Sequence, residues 1–452
     1  MLKVDTIGNA TLIAYDQRPL LVTDPWLDEH SAYFGSWGLD YEIPPAQREA
    51  MLSAEYVWFS HGHPDHLNPD SVKLFKNAKI LIADHRGQRI LTGLQEEGYD
   101  VEVLKDRQWT RLSENVRIMS IADYIQDSIL LVDVGGTLFM NFNDAGVRYC
   151  RKTVKAVASE YSRVFMLKLS GYGDADMINI FDEGGRRIPP AAAERPPVGS
   201  YLEAMADTFG ATDVVPFSSF HRYQRSDSIW AQAYATPISA YREGWRGERS
   251  VLHDPFISYD ASTASVTPIE PKPAPEVVYE PEVFGDNWSD QLETEDLALI
   301  KNYFGKIERL KEKIGFLEFV VGGCANRIVL SSLKNGITFE SPRNSLIEAV
   351  KYEIFDDLLI GNFAKTTFHG VSSLYEPNFN LLVCKLADNG RAKSKSEVRE
   401  YMRDYRSRGE GEWLREEFAN LTARYLRPAA RKVLPQNTGA YQALVRINQK
   451  LR

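Results

Sequence analysis

A cluster of four potential metal ligands constrains this chain more than any other feature. Residues 60–67 read SHGHPDHL and directly follow the apolar run YVWF at 56–59. The apolar run predicts a buried strand, so the ligands lie where that strand ends. Imidazole nitrogens and a carboxylate oxygen suit an ion such as zinc or iron. We predict a metal site in which His61 and His63 point to one side of the loop and Asp65 and His66 to the other. A solvated histidine-rich turn is the alternative.

Composition excludes several classes of protein. A chain of 452 residues with 44% hydrophobic side chains can bury a large core in two or more domains. The formal net charge of −9 argues against a general affinity for nucleic acid or an anionic membrane. No apolar run approaches the roughly 18–20 residues that span a bilayer, and no hydrophobic leader is predicted at the N-terminus. We therefore expect a cytoplasmic protein without nucleic-acid or membrane partners.

Cysteine usage points to a reducing compartment. The three cysteines, Cys150, Cys324 and Cys384, are odd in number and widely spaced. This pattern excludes a disulfide framework. It also excludes a cysteine-ligated iron–sulfur cluster, because such clusters need paired cysteines or two cysteines with two histidines.

Short apolar runs separated by turn signals predict the fold of the first half. Runs such as 11–15, 19–23, 79–83 and 128–134 are typical of strands, and residues 87–97 are typical of a helix. Strands that alternate with helices around a two-layer core predict an α/β or α+β sandwich with helices outside.

Proline spacing predicts the domain organisation. Five prolines within residues 265–285 interrupt any regular element and predict an extended, semi-rigid linker. Residues 1–264 then form the first domain, and residues 286–452 form a smaller α+β domain with a charged helical tail. Within this second domain, Lys334-Asn335-Gly336 predicts a hairpin turn between strands at 326–333 and 336–341. We expect the charged segment 391–417 to be a solvated helical face.

A ligand cluster on one loop usually needs partners from other strand ends, and three residues are candidates. Asp144 follows the apolar run 137–142, His221 follows 214–220, and Asp123 follows 116–120. Each has an ordinary alternative. Asp144 is also suited to cap a following helix, His221 to lie on the surface, and Asp123 to occupy a turn.

The order of these residues resembles the metallo-β-lactamase superfamily. A strand, His-x-His-x-Asp-His, a later Asp and a later His follow one another over roughly residues 1–260. The resemblance implies an αβ/βα sandwich with metals at one edge of its two sheets. Carried over by position, His61, His63 and Asp144 would hold one metal, and Asp65, His66, Asp144 and His221 the other. Asp123 occupies the place where the superfamily usually has another His, so we predict it as a further ligand.

A narrower likeness extends over most of the chain. Residues 34–38, 43–45, 54–61 and 356–361 are similar to the CMP-N-acetylneuraminate hydroxylase family. The resemblance implies an iron-dependent oxygenase that acts on a nucleotide-activated sugar or a similar polar molecule. The Cys-x-His pairs of that family's Rieske domain do not occur in this sequence. The implied electrons would then come from a separate electron-transfer protein.

Three functional hypotheses remain from the sequence. The first is an oxygenase with one or two iron ions, which the oxygen-rich ligand set and the family resemblance favour narrowly. The second is a hydrolase of phosphoester or acyl bonds that uses zinc or manganese to activate water. The third is a metal-domain scaffold whose C-terminal unit binds a partner or forms a homodimer.

Candidate catalytic and substrate-binding residues complete the prediction. Asp65, Asp123 and Tyr124 are candidates for catalysis. Four further residues are candidates for binding a phosphate or carboxylate of a small-molecule substrate through charge-assisted contacts: Lys168, Arg222, Tyr223 and Arg225.

Overall fold

Two large mixed β-sheets form the first half of the molecule. The computed structural model describes residues 2–27, 32–169, 171, 179–194, 197–375 and 378–421. The strands of the first half are β1 (Leu2–Ile7), β2 (Thr11–Asp16), β3 (Arg18–Thr23), β4 (Trp37–Leu39), β5 (Tyr56–Phe59), β6 (Lys79–Ala83), β7 (Val101–Leu104), β8 (Trp109–Arg111), β9 (Val116–Ala122), β10 (Ser128–Val134), β11 (Thr137–Asn143), β12 (Val164–Lys168), β13 (Asn179–Phe181), β14 (Asp213–Pro216), β15 (His221–Tyr223), β16 (Val251–Leu252), β17 (Ile257–Asp260) and β18 (Ser265–Pro268).

Strand order explains why several loops meet at one edge. The first sheet runs β18-β17-β1-β2-β3-β5-β6-β7, and the second runs β16-β14-β12-β11-β10-β9-β8. In the first sheet β3, β5 and β6 are parallel neighbours, and in the second β11, β12 and β14 are. Because the carboxyl ends of parallel neighbours share an edge, the loops after β3 and β5 lie together, as do those after β11 and β14.

The two sheets pack face to face. One buried cluster draws Leu12 and Trp58 from the first sheet and Leu130 and Phe139 from the second, and it fills the space between them. Side chains that alternate with these along the strands, such as Val57 of β5, join a second cluster on the outer faces. The αβ/βα sandwich predicted from the sequence is confirmed.

Helices cover the outer faces and form part of the C-terminal half. They are α1 (Pro45–Leu52), α2 (Arg89–Glu96), α3 (Arg151–Ala158), α4 (Val198–Phe209), α5 (Thr294–Gly305), α6 (Arg343–Lys351), α7 (Phe355–Ile360), α8 (Lys395–Arg408) and α9 (Glu412–Leu421), with a π-helix at Leu381–Asn389. Helix α8 begins with a capping box: Ser394 Oγ accepts a hydrogen bond from Glu397 N, and Glu397 Oε2 accepts one from Ser394 N.

A third sheet organises the C-terminal half. Its strands are β19 (Phe316–Val321), β20 (Cys324–Val329), β21 (Gly336–Glu340) and β22 (Lys365–His369), in the order β13-β22-β21-β19-β20. The predicted hairpin at Lys334-Asn335-Gly336 is wrong. Strand β21 pairs with β19 in parallel, and the hairpin turn is instead Gly322-Gly323, where both glycines have positive φ and join β19 to β20.

Chain segments cross the predicted domain boundaries. Strand β13 comes from the first half yet lies at the edge of the third sheet, and β18, at the start of the proline-rich segment, pairs with β17 of the first sheet. Farther along that segment, Ala274 N donates a hydrogen bond to Asp40 O, and Tyr279 N donates one to Gln224 O. The proline-rich segment is therefore packed against the first half.

The charged tail helix is docked as well. Tyr401 and Tyr405 of α8 are 1% and 2% exposed and pack against Ala83 and Ala122 at the ends of β6 and β9. The prediction of a solvated face therefore holds for only one side of this helix. The part of the predicted tail beyond residue 421 lies outside the described residues. Among the described helices, none is both long and apolar enough to cross a membrane.

Candidate metal centre

His61, His63 and Asp144 meet where β5 and β11 end. One ligand atom from each side chain lies within 4.8 Å of the others. His61 Nε2 is 2.9 Å from His63 Nδ1 and 4.0 Å from Asp144 Oδ2. Strand β5 ends at Phe59 and β11 at Asn143, so the two loops deliver these donors from different sheets. The predicted convergence of these three residues is present.

Asp65 and His66 lie beside this group, and His66 also faces Asp144. His66 Nε2 is 3.4 Å from Asp65 Oδ2 and 3.4 Å from Asp144 Oδ2. The same Asp144 oxygen thus faces His61 in one group and His66 in the other. This is the position that a bridging carboxylate between two ions would occupy.

Each of the three histidines has one ring nitrogen engaged outside the cluster. Ser60 Oγ lies 2.8 Å from His61 Nδ1, and Asp24 Oδ2 lies 3.0 Å from His66 Nδ1. Asp356 Oδ2 lies 3.0 Å from His63 Nε2. Metal-binding histidines typically have such an outer partner, because a hydrogen bond to one nitrogen leaves the lone pair of the other for the ion.

Asp65 is fixed by two polar side chains. Tyr33 Oη donates a 2.6 Å hydrogen bond to Asp65 Oδ1, and Asn9 Nδ2 donates one of 2.9 Å to Oδ2. Asn9 Oδ1 in turn accepts a hydrogen bond from Phe220 N, which precedes β15. This chain of contacts ties the loop that leads to His221 to the histidine motif.

His221 stacks on an aromatic ring beside the cluster. Its imidazole lies 3.4 Å, centroid to centroid, from the Trp37 indole at an angle of 6°, because β15 pairs with β4. Trp37 in turn contacts Tyr33, whose hydroxyl binds Asp65. His221 is therefore buried against Trp37, and its role as a ligand of the second ion, together with Asp65, His66 and Asp144, stays a prediction.

The donor set fits a divalent cation. His66 Nε2 is buried between two carboxylates, yet it makes no hydrogen bond of good geometry to any residue the structure describes. Leaving such a nitrogen unsatisfied is unfavourable, whereas a cation beside it would use the nitrogen and both carboxylates. His61, His63 and Asp144 would hold one ion, and Asp65, His66 and Asp144 a second.

Electrostatic coupling inside the cluster is strong. Burial alone would lower the pKa of His66, but the carboxylates of Asp65, Asp144 and Asp24 together raise it well above its ordinary value. Burial would raise the pKa of Asp144, but His66 and His61 hold it well below its ordinary value. A bound ion would displace the proton from His66, so metal binding here is coupled to proton release.

Asp123 and Tyr124 contact residues outside the candidate ligand groups. Asp123 Oδ1 accepts hydrogen bonds from Ile125 N and Asp127 N in its own turn, and Oδ2 pairs with Arg148 Nη1 at 3.1 Å. Tyr124 Oη is 3.5 Å from Glu416 Oε1 of α9. The turn alternative considered for Asp123 describes what is observed, and neither residue joins the compact ligand group.

Arg222 and Arg225, which the sequence predicts to bind substrate, make structural contacts inside the protein. Arg225 is fully buried, its guanidinium pairs with Asp227 and Asp286, and it also donates to Phe34 O. Arg222 donates a hydrogen bond to Leu39 O across the β15–β4 pair. These contacts contradict a substrate-binding role for Arg225, because every nitrogen of its guanidinium is already used inside the protein.

Tyr223 and Lys168 are also engaged internally. The Tyr223 hydroxyl accepts a hydrogen bond from Asn362 Nδ2. Lys168 Nζ donates to Asn143 O and Ala145 O, the carbonyls on either side of Asp144, and burial lowers its pKa to about 8. Lys168 thus holds the loop that carries Asp144.

Sequence reasoning missed several residues around the centre, among them Asp24, Asp356 and Lys385. Asp24 follows β3 directly, so the strand-end argument that selected Asp144 applies to it equally. Asp356 and Lys385 come from α7 and the π-helix, about 300 positions from the motif, and no local pattern pairs them with His63.

Comparisons with known proteins agree with the resemblance. No protein-family model matches the chain. The chain is 25% identical over 134 residues to the cytidine monophosphate-N-acetylneuraminic acid hydroxylase of Asterias rubens, a match that covers 28% of this chain and 20% of that protein. The chain thus spans about a fifth of the length of the curated relatives it matches.

Solved structures with a similar fold include two metal-dependent enzymes. CmlA, a diiron β-hydroxylase from Streptomyces venezuelae, superposes with a TM-score of 0.31 at 12% identity over 48% of this chain and 44% of that chain. Igni18, a metallo hydrolase from Ignicoccus hospitalis, gives 0.34 at 12% identity over 57% and 98%. At such scores the likeness identifies no activity. The facing sheets, the outer helices and the ligand-bearing loops at one edge are by themselves the architecture of the metallo-β-lactamase fold.

Proposed function

We propose that this protein is a metal-dependent oxygenase with one or two non-haem iron ions, which hydroxylates a small polar substrate with electrons from an external reductant. The single observation that carries the proposal is the meeting of His61, His63 and Asp144. Two imidazoles and one carboxylate form the ligand set of non-haem iron oxygenases, which leaves coordination positions open for dioxygen.

The curated relatives support the choice of substrate class. They carry the name of hydroxylases of cytidine monophosphate-N-acetylneuraminic acid, a nucleotide-activated sugar. We extend that class of substrate to this chain as a proposal, since the match covers only part of each protein. Because every guanidinium nitrogen of Arg225 is hydrogen-bonded inside the protein, other groups near the centre would bind the substrate phosphate.

The overall reaction balances with dioxygen and a two-electron donor. One oxygen atom enters a C–H bond of the substrate as a hydroxyl group, and the other leaves as water, with two electrons and two protons taken from the reductant. A separate electron-transfer protein is the proposed physiological donor. Bound iron would supply the binding and activation of dioxygen.

The chain's own residues hold this centre rigidly. Tyr33 and Asn9 fix both oxygens of Asp65, Asp24 fixes the His66 ring, and Lys168 secures the loop that carries Asp144. These contacts place the donors before an ion binds, which lowers the entropic cost of assembling the site.

Hydrolysis is the second candidate. The observation that favours it is that one Asp144 oxygen lies within 4.0 Å of both His61 Nε2 and His66 Nε2, since a carboxylate shared by two ions is common to two-metal hydrolases. In that case the pair of ions would activate water for attack on a phosphoester or acyl bond. Zinc or manganese would then replace iron.

One reconstitution experiment separates the two reactions. Metal-free protein is loaded anaerobically with iron(II) or with zinc(II), and bound metal is counted. The iron form is mixed with CMP-N-acetylneuraminate, ascorbate and dioxygen, and the products are analysed by mass spectrometry. The zinc form is mixed with bis(p-nitrophenyl) phosphate without oxygen or reductant.

A product heavier by one oxygen atom, formed only by the iron form, supports the oxygenase. Rapid phosphodiester cleavage by the zinc form, with no oxygenated product from the iron form, favours the hydrolase. An Asp144→Ala variant serves as the control, because either reaction requires the shared carboxylate. Failure of the wild-type protein to bind either metal contradicts both candidates.

A further inference from the structure

We propose that Asp356, backed by Lys385, is a positioning residue of the metal centre and that the C-terminal half thereby controls metal binding. The inference rests on the proposed function, since it takes His63 as a metal ligand. It goes further in assigning part of the centre to a region that the sequence presents as a separate domain.

The contact between the two halves is direct. Asp356 Oδ2 lies 3.0 Å from His63 Nε2, and Lys385 Nζ lies 2.7 Å from the same oxygen. The other carboxylate oxygen of Asp356 accepts a 2.8 Å hydrogen bond from Asn380 Nδ2. The side chains of Asp356 and Lys385 are 7% and 12% exposed, so this small network is shielded from solvent.

The network determines which nitrogen of His63 faces the ligand group. A carboxylate at Nε2 holds the proton there, so Nδ1, which lies 2.9 Å from His61 Nε2, keeps its lone pair for an ion. Without Asp356 the ring would be free to change tautomer or rotate. The ligand group would then lose one of its two imidazoles.

Lys385 stabilises the charge of the buried Asp356 carboxylate. An isolated charge at the Asp356 position would be strongly unfavourable, but the ammonium group neutralises it at hydrogen-bond distance. Lys385 lies in the π-helix Leu381–Asn389, a rare conformation that occurs often at functional sites. The neighbouring Cys384 and Val383 are buried in the core of the C-terminal half and fix this helix in place.

Further contacts join the first half to the C-terminal half next to the π-helix. Arg89 of α2 donates hydrogen bonds to Asn389 Oδ1 at the end of the π-helix and to Tyr352 O. Gly87 approaches the backbone of Gly390 so closely that a Cβ atom would lie 2.5 Å from the Gly390 carbonyl oxygen. The first half and the end of the π-helix are therefore in close backbone contact beside His63.

Metal titration of the full-length apo-protein tests the inference. Zinc(II), and iron(II) under anaerobic conditions, are titrated into the wild type and into the Asp356→Asn/Lys385→Met double variant, which removes both charges and leaves no unpaired ion. We expect the affinity of the site to fall about 10–100-fold in the double variant. The matched control is Glu340→Gln/Lys365→Met, a half-exposed ion pair of the third sheet, which should bind metal as the wild type does.

A double-mutant cycle separates positioning from general stability. The Asp356→Asn/Lys385→Met change is repeated in a His63→Ala background, where it should have no further effect on metal affinity. An equal loss in both backgrounds, or no loss in either, overturns the inference while leaving the proposed function intact. A wild type that binds no metal overturns both.

Folding of each variant is checked by far-UV circular dichroism. If the double variant does not fold, Asp356→Glu replaces it, since this change keeps the charge beside Lys385 and displaces the carboxylate by one methylene. A loss of metal affinity with Asp356→Glu supports the inference, and wild-type affinity contradicts it.

Discussion

Asp24 accepts the Nδ1–H group of His66 across 3.0 Å, and both side chains are fully buried. The same carboxylate accepts a hydrogen bond from Ser60 N, so one residue at the end of β3 fixes both the start of the histidine motif and the ring of its last histidine. Two loops from neighbouring parallel strands are thereby combined into one rigid unit.

We predict that Asp24→Asn weakens metal binding at the position held by Asp65, His66 and Asp144. The amide can present either an oxygen or an NH₂ group to His66, so the ring is no longer held in one tautomer. Loss of an outer partner typically lowers metal affinity about 10–100-fold. Isothermal titration with zinc(II) measures the change. Asp70→Asn, which alters an exposed ion pair with Lys73, should leave the affinity as it is.

Asp144 and Asp123 should respond in opposite ways. Asp144→Ala should abolish stable binding of at least one ion, because Asp144 Oδ2 lies 4.0 Å from His61 Nε2 and 3.4 Å from His66 Nε2 and so faces both ligand groups. Asp123→Asn should leave metal content unchanged and reduce the free energy of unfolding by about 1–3 kcal/mol, since it disturbs the buried contact with Arg148.

Metal analysis together with urea denaturation checks both variants. If Asp123→Asn binds less metal while its free energy of unfolding is unchanged, then Asp123 is a metal ligand and the prediction is wrong. The substitution Asp123→His should likewise leave the preference between zinc and iron unaltered, because residue 123 lies in a turn closed by its own amides.

The candidate site was predictable from sequence only where its residues share a local pattern. His61, His63, Asp65, His66 and Asp144 lie directly after apolar strands, and the carboxyl ends of parallel strands meet at one edge. Position after a strand is not sufficient, however. Asp123 satisfies the same rule, but the nearby Arg148 and two backbone amides bind its carboxylate. Asp356 lies in a segment that resembles the hydroxylase family, but nothing in its local sequence links it to His63, since that contact depends on how α7 packs against the first half.

The fold was predicted best where strands are buried and continuous. Strands β6 and β10 begin and end where the apolar runs 79–83 and 128–134 do. The C-terminal sheet was harder, because pairing there is not sequential. The Asn335-Gly336 dipeptide favours a hairpin locally, but β21 gains buried partners on both sides by lying between β19 and β22. Tertiary packing outweighed the turn preference.

Arg225 should be essential to the junction between the two halves. Its guanidinium lies between Asp227 and the fully buried Asp286, so Arg225→Met leaves a buried carboxylate without its cation. Breaking such a pair costs about 3–5 kcal/mol in the free energy of unfolding. Urea denaturation measures the change. Arg242→Met, which breaks an exposed pair with Asp254, should cost less than about 1 kcal/mol. Equal effects of the two substitutions would contradict a structural role for Arg225.

His85 should make the fold sensitive to acid. It is buried at the end of β6, and its Nδ1 lies 3.1 Å from the Tyr405 hydroxyl of α8. Burial, assisted by the positive charge of Arg408, lowers the pKa of His85 to about 3. In the unfolded chain His85 takes up a proton when the pH falls below its ordinary pKa of about 6.5. In the folded protein it does so only when the pH approaches the lowered pKa. Stability therefore falls as the pH drops from about 6.5 towards 3.

The substitution His85→Gln should remove this part of the pH dependence. Between pH 7 and pH 5 we expect the wild type to lose about 2 kcal/mol more of its free energy of unfolding than the variant does. Ser53→Ala is the control, because it changes an exposed side chain without an ionisable group and should leave the difference between the two pH values as in the wild type. Urea denaturation at both pH values measures all three proteins. A wild type and a His85→Gln variant with parallel pH profiles would show that His85 titrates in the folded protein as freely as in the unfolded chain, and that α8 is not packed over it as described.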